Sequence, residues 1–155
     1  MADGPYSHEK LRSCREWGRF EYILTVIDVF SRFAMLRPLE KKTSKEVKHE
    51  LSKLFAEHGQ PDIIQCDQGS EFKGSTDTFL KKRGVKVIRS RPYHPKSQGK
   101  CEVSHVLVRK KISFQMRKKK GFNWAKDLHV IQEAMNTVPK GVIGFQKPID
   151  VFVKR

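Results

Sequence analysis

Long apolar runs are nearly absent from this chain. The longest, Tyr22 to Ile27, is far short of the ~20 residues a membrane-spanning helix needs. The opening residues, Met1-Ala2-Asp3-Gly4-Pro5, carry no apolar signal-peptide core. A soluble nuclear or cytoplasmic protein without a membrane partner is therefore expected. Cysteine is scarce as well: Cys14, Cys66 and Cys101 are odd in number and show no Cys-x-x-Cys spacing. That pattern implies neither a disulfide framework nor a zinc knuckle, and reduced thiols are the simpler reading. Acid is the third scarcity, and it is local. Residues 81–120 hold fifteen Lys and Arg against one carboxylate, Glu102, while the rest of the chain holds 17 bases and 16 acids. Nearly all of the net +15 therefore lies in one stretch. A solvated surface would spread such charge; a face that binds polyanions concentrates it.

At 155 residues the chain is long enough for one domain with an ordinary core. Residues 1–19 are polar and lack either periodicity, so the domain is expected over 20–155. Phe20 to Asp28 reads as a buried strand, and Phe33 to Leu39 as its hairpin partner. Thr43-Ser44-Lys45-Glu46 spells a capping box, with Val47, Leu51, Leu54 and Phe55 on one helical face and Gly59 as the stop. Pro61 resets the chain before a short strand that ends at Asp67. A short helix from about Thr76 to Arg83 halts at Gly84, and Val85 to Ile88 makes a further strand. A loop from Arg91 to Gly99 should lead to a basic helix over about Lys100 to Lys119. The last helix is expected over Asn123 to Asn136, where Trp124, Leu128, Ile131 and Met135 fall at helical spacing. This order of strands and helices predicts a mixed α/β fold.

Two carboxylates stand in phrases suited to metal chemistry. Asp67 closes an apolar strand and opens Gln68-Gly69-Ser70-Glu71-Phe72; Glu102 sits near the start of the basic helix. Each has a plain structural role available. An acid before Gln-Gly forms turns, Glu71 can pair with Lys73, and a first-turn glutamate favours the helix dipole. Strand C-termini are nevertheless where α/β sheets assemble their sites. Asp67 and Glu102 together would hold Mg²⁺ or Mn²⁺ against a phosphodiester. Lys96, Lys100, Arg109, Lys110 and Lys111 would neutralise nearby phosphates, and Gln98 and Gly99 would keep the loop before Glu102 mobile beside a DNA end.

Several segments resemble, in order, the retroviral-type integrase catalytic core, in the flavour of gypsy-type or Maverick/Polinton elements. Tyr22 to Phe33 looks like its second-strand signature, and Cys66 to Phe72 like the segment of its second catalytic aspartate. His94 to Glu102 resembles the stretch bearing its catalytic glutamate, and Trp124 to Asn136 with Gly144 to Pro148 resembles its closing segment. The resemblance covers about residues 20–155. It implies a ribonuclease-H-like mixed sheet flanked by helices, two Mg²⁺ or Mn²⁺ ions, DNA as partner, self-association, and end processing and strand transfer. It also implies a first strand carrying a first catalytic aspartate before Tyr22. The matching stretch, Met1 to Arg19, holds only Asp3 in a setting unlike a strand, so the fold is expected to be incomplete at its N-terminus. Asp28 is the substitute candidate, although the motif assigns it to the neighbouring strand and to a turn with Ser31 and Arg32. Val103, Ser104 and His105 depart from the arginine and asparagine that usually follow the glutamate. Two functions stay open: a metal-dependent DNA integrase, or an inactive domesticated module that binds nucleic acid or protein.

Overall fold

A computed structural model describes residues 19–89 and 95–154; the side chains of 95–104 lie outside that description. The segment 1–18, where the resemblance implies the first strand of the family, is also outside it. Strand β1 (Tyr22–Ile27) pairs antiparallel with β2 (Ala34–Leu39), from Ile27 opposite Ala34 to Tyr22 opposite Leu39. Their connection is built by Asp28, whose Oδ2 accepts from the Ser31 amide at 2.8 Å and the Ser31 hydroxyl at 2.6 Å. Arg32 then takes a left-handed φ of 62°, which lets Phe33 rejoin the ladder through its carbonyl to the Asp28 amide.

Helix α1 (Ser44–His58) follows, with Thr43 as N-cap and Gly59 beyond its end at φ 88°. The capping box forms only in part. The Thr43 hydroxyl accepts from the Glu46 amide, but the Glu46 carboxylate turns to the Glu40 and Lys41 amides, at 2.5 and 2.8 Å, and fastens the incoming chain instead. Val47, Leu51, Leu54 and Phe55 are buried as the pattern requires. Strand β3 (Ile63–Cys66) and strand β4 (Lys86–Arg89) pair in parallel across helix α2 (Ser75–Lys82). Helix α3 (Pro95–Lys118) is the longest element, and α4 (Leu128–Asn136) and α5 (Pro148–Val153) complete the chain.

The β1–β2 sheet has a core on each face. Leu24, Met35 and Leu39 join Val47, Leu51 and Leu54 on the α1 side. Ala34 and Leu36 join Val108 and Ile112 of α3 and Trp124, Leu128, Ile131 and Met135 on the other. This is the strand period of two at work, sending alternate β2 side chains into opposite cores. The strands form two pairs, β1–β2 and β3–β4, with no ladder joining the pairs among the described residues. The expectation of a single mixed sheet thus meets two half-sheets among the described residues.

Several boundaries differ from expectation. The strand over 20–28 was expected to be buried, yet only Leu24 of β1 is; its other residues are half-buried. Helix α3 begins at Pro95, five residues before the expected start. Proline is suited to the first helical position because its missing N–H is an orphan there in any case. Lys96, Gln98 and Gly99 therefore stand on the helix and not in a mobile loop. In contrast, α4 begins at Leu128, not Asn123. Asn123 Oδ1 accepts from the Ala125 and Lys126 amides while Asp127 Oδ2 accepts from the Asn123 amide, a side-chain-bonded turn that competes with the helix.

Candidate metal and nucleic-acid site

Asp67 stands where β3 ends. Its Oδ1 accepts from the Gly69 amide at 2.9 Å, so the turn that reverses the chain also fixes the carboxylate. The next acid, Glu71, folds back over the same glycine. A Cβ on Gly69 would lie 2.5 Å from Glu71 Oε2, so this close approach requires the missing side chain. Glu71 is only 1% exposed, and its Oε1 lies 3.2 Å from Lys42 Nζ. The expected pairing with Lys73 is corrected: the Lys73 carbonyl accepts from the Ser44 hydroxyl and its amide donates to the Ser70 carbonyl. Sequence reading missed this pair because Lys42 and Glu71 meet only when the end of β2 packs against the turn after β3.

A cation steadies the other side of the segment. Arg89, opposite Cys66 in the β3–β4 register, donates through Nη2 to the Phe72 carbonyl at 3.1 Å and to Asp77 Oδ1 at 2.9 Å. Asp77 also pairs with Lys81 at 2.7 Å, and these bonds, Lys81 first, hold its carboxyl below the ordinary range. Burial pushes the Cys66 thiol up to about 11; Asp67, Asp77 and Glu71 add to the rise and Arg89 opposes it. Cys66 is therefore a neutral thiol at physiological pH, packed rather than reactive.

Glu102, the second carboxylate named from the sequence, falls on α3, but its side chain lies outside the described residues. The same holds for the side chains of Lys96, Gln98 and Lys100. Of the DNA-facing candidates, Arg109 and Lys110 are exposed on α3 and Lys111 is half-buried. They line a groove of about 880 Å³ between α3 and α4, with Phe114, Arg117, Ile131 and Ala134. Val108 and Ile112 turn the opposite face of α3 into the core.

Asp28 does not share a location with Asp67. It lies in the β1–β2 turn, before β2 begins, whereas Lys42, just after β2 ends, reaches Glu71 beside Asp67. The six residues of β2 place about 20 Å between those ends. The bonds of this turn are local: Asp28 Oδ2 takes two bonds from Ser31. Among the described residues, no three His, Cys, Asp or Glu side chains gather in a metal-binding group. Asp67 itself offers hard oxygen donors of the type that Mg²⁺ and Mn²⁺ prefer.

The family profile described as integrase core domain matches residues 11–95. The chain belongs to that family. This integrase core is 33% identical over 122 residues to human KRAB-A domain-containing protein 2, covering 77% of this chain and 25% of that protein. It is 25% identical over 120 residues to the Gag-Pro-Pol polyprotein of squirrel monkey retrovirus, covering 77% of this chain and 6% of the polyprotein. The integrase core thus spans a quarter or less of the length of these relatives. A chain of the simian T-cell lymphotropic virus intasome, solved in complex with PP2A regulatory subunit B56 gamma, superposes with a TM-score of 0.77. That match covers 88% of this chain and 50% of the other at 17% identity, and it establishes the ribonuclease-H-like fold. The domain is of mobile-element origin. No helix among the described residues is long and apolar enough to cross a membrane.

Proposed function

We propose that residues 20–155 form a DNA-binding integrase core that acts on DNA ends, with Asp67 and Glu102 as its metal-holding carboxylates. The observation that carries this reading is the Asp67 carboxylate, fixed by the Gly69 amide at the exit of β3. It belongs to a chain whose excess cations crowd the helix bearing Glu102. When bound, Mg²⁺ or Mn²⁺ supplies Lewis-acid activation for an in-line displacement at phosphorus. The chain's own residues do the rest. The Gly69 bond keeps Asp67 from rotating, the Lys42–Glu71 pair braces the turn behind it, and Arg89 ties the turn to β4. Arg109, Lys110 and Lys111 on α3, with Lys96 and Lys100 nearer its start, neutralise phosphates without reading sequence. Gln98 lies among them. We assign Asp28 to the β1–β2 turn on its bonds to Ser31. A DNA partner puts the work of the domain in the nucleus or cytoplasm, and copies are expected to associate on DNA.

The test is strand transfer of oligonucleotide ends with Mn²⁺, comparing wild type with Asp67→Asn and Glu102→Gln. Product from the wild type and none from either variant, at equal thermal midpoints, is the expected result. Equal product from all three proteins, or none from any, removes the catalytic part. It would leave the second reading, an inactive nucleic-acid-binding module, which the departures at Val103, Ser104 and His105 favour.

A further inference from the structure

The β1–β2 turn, α3 and the segment after α4 bring three cations together at the end of the sheet away from Asp67. Lys140 Nζ donates to the Arg32 carbonyl at 3.3 Å, joining the 137–147 segment to the turn. Arg32 holds its left-handed backbone there, and its Nε is buried without a hydrogen-bond partner. Lys111 of α3 is the third member, near enough to bear on Lys140. Burial first, then the charges of Arg32 and Lys111, holds the Lys140 ammonium below its ordinary range. No acid offsets that pressure in the balance at Lys140, and none of the three cations forms an ion pair among the described residues. The one carboxylate of the turn, Asp28, is turned to Ser31.

Three cations from separate elements, one of them with an unmet buried donor, are costly to hold together without an anion. A protein tolerates such a grouping where an anion arrives to complete it. The guanidinium fork and two ammonium groups match the oxygens of a phosphate group. The location decides which phosphate. Lys111 lies nine residues beyond Glu102 on the same helix, about 13 Å along its axis at ~1.5 Å per residue. A duplex that follows α3 from the Asp67 end therefore carries its backbone toward this corner.

We propose that Arg32, Lys111 and Lys140 form a second phosphate-binding site, which takes a backbone phosphate of the same duplex at the end of the sheet remote from Asp67. This deepens the DNA-binding reading and rests on it. The site acts as a clamp: it fixes the angle of the duplex across α3 and contributes affinity but no chemistry. Lys111 belongs to the basic helix already assigned to phosphates; Arg32 and Lys140 lie outside the basic stretch 81–120 and are added by geometry alone.

The test follows the salt dependence of binding to a labelled duplex by the whole chain. Wild type is compared with Arg32→Gln, Lys140→Gln, Lys140→Arg and, as a control on α1, Lys48→Gln. Each lost phosphate contact should lower the slope of log K against log [salt] by about 0.9. Arg32→Gln and Lys140→Gln are expected to show that loss, Lys140→Arg to restore the wild-type slope, and Lys48→Gln to leave it unchanged. Thermal midpoints show that each variant is folded. Wild-type slopes in both Gln variants, with wild-type binding intact, overturn the clamp and leave the DNA reading standing. A wild type with no salt-dependent binding overturns both. Pyrophosphate provides a further arm. If it raises the thermal midpoint of wild type but not of Lys140→Gln while DNA slopes stay equal, the site takes a free phosphate compound and the duplex assignment fails.

Discussion

Gly69 has the least freedom of any residue near the candidate site. Its missing Cβ is the space that the Glu71 carboxylate fills, with 2.5 Å to the nearest oxygen. In Gly69→Ala that buried carboxylate must shift in its pocket, so the variant should lose about 2 kcal/mol of stability from overpacking. Chemical denaturation measures it, and a change within ~0.5 kcal/mol would show that the pocket yields freely. Cys66 offers a second residue-scale test. Its thiol titrates near 9.0 when unfolded and about 11 when folded. Above pH 9 the unfolded state holds fewer protons, so the thiol's contribution is complete below 9 and is lost as pH rises through 11. The stability difference between wild type and Cys66→Ala should shrink across that window in denaturation curves taken at successive pH values. A constant difference would place the thiol in a more open setting. Asp67 and its turn were legible in the sequence, because Asp-Gln-Gly after a short apolar strand is local chemistry. The partner of Glu71 was not, since nothing within a few residues points to Lys42.

At the scale of elements, the periodicities carried most of the information. The α1 face, the β1–β2 hairpin and the four buried side chains from Trp124 to Met135 follow from spacing alone. Ends were less legible, because a terminus is decided by which side chain caps it. Pro95 extended α3, while α4 was shortened by the Asp127 side chain on the Asn123 amide and the Asn123 side chain on the Ala125 and Lys126 amides. The element least visible in the sequence is the bond between α4 and β2. Asn136 is 2% exposed; its Oδ1 accepts from the Ala34 amide at 2.7 Å and its Nδ2 donates to the Ala34 carbonyl at 2.8 Å. Gln132 Oε1 accepts from the Leu36 amide at 2.8 Å. Helical spacing places residues 132 and 136 on one face, but it gives no hint that the face meets a strand edge. Asn136→Leu would strand a buried amide and a buried carbonyl of Ala34 and should cost about 3 kcal/mol. Thermal unfolding would read that loss, and an unchanged midpoint would mean that water reaches the edge.

For the whole molecule, charge and topology point the same way. Several described acids are matched by cations on α1, α2 and the strands, as in Lys53–Glu50, Arg37–Glu57 and Lys81–Asp77. Lys110, Lys111 and the run from Arg117 to Lys120 at the end of α3 form no such ion pair among the described residues. Binding to DNA should therefore weaken steeply with salt, and the clamp at Arg32 and Lys140 would extend the contact beyond the helix that the sequence pointed to.

The Asn136 contact has one more consequence. Along the outer rim of β2, the Ala34 amide and carbonyl face the Asn136 carboxamide, the Leu36 amide faces Gln132, the Leu36 carbonyl takes a bond from Arg37, and Pro38 has no N–H to offer. A side-chain amide here imitates the peptide group of an adjoining strand, so the rim is already satisfied at Ala34 and Leu36. A second chain adding strand to strand at that border would have to displace these bonds first. To that extent the molecule is shielded at β2 from growing into a fibre.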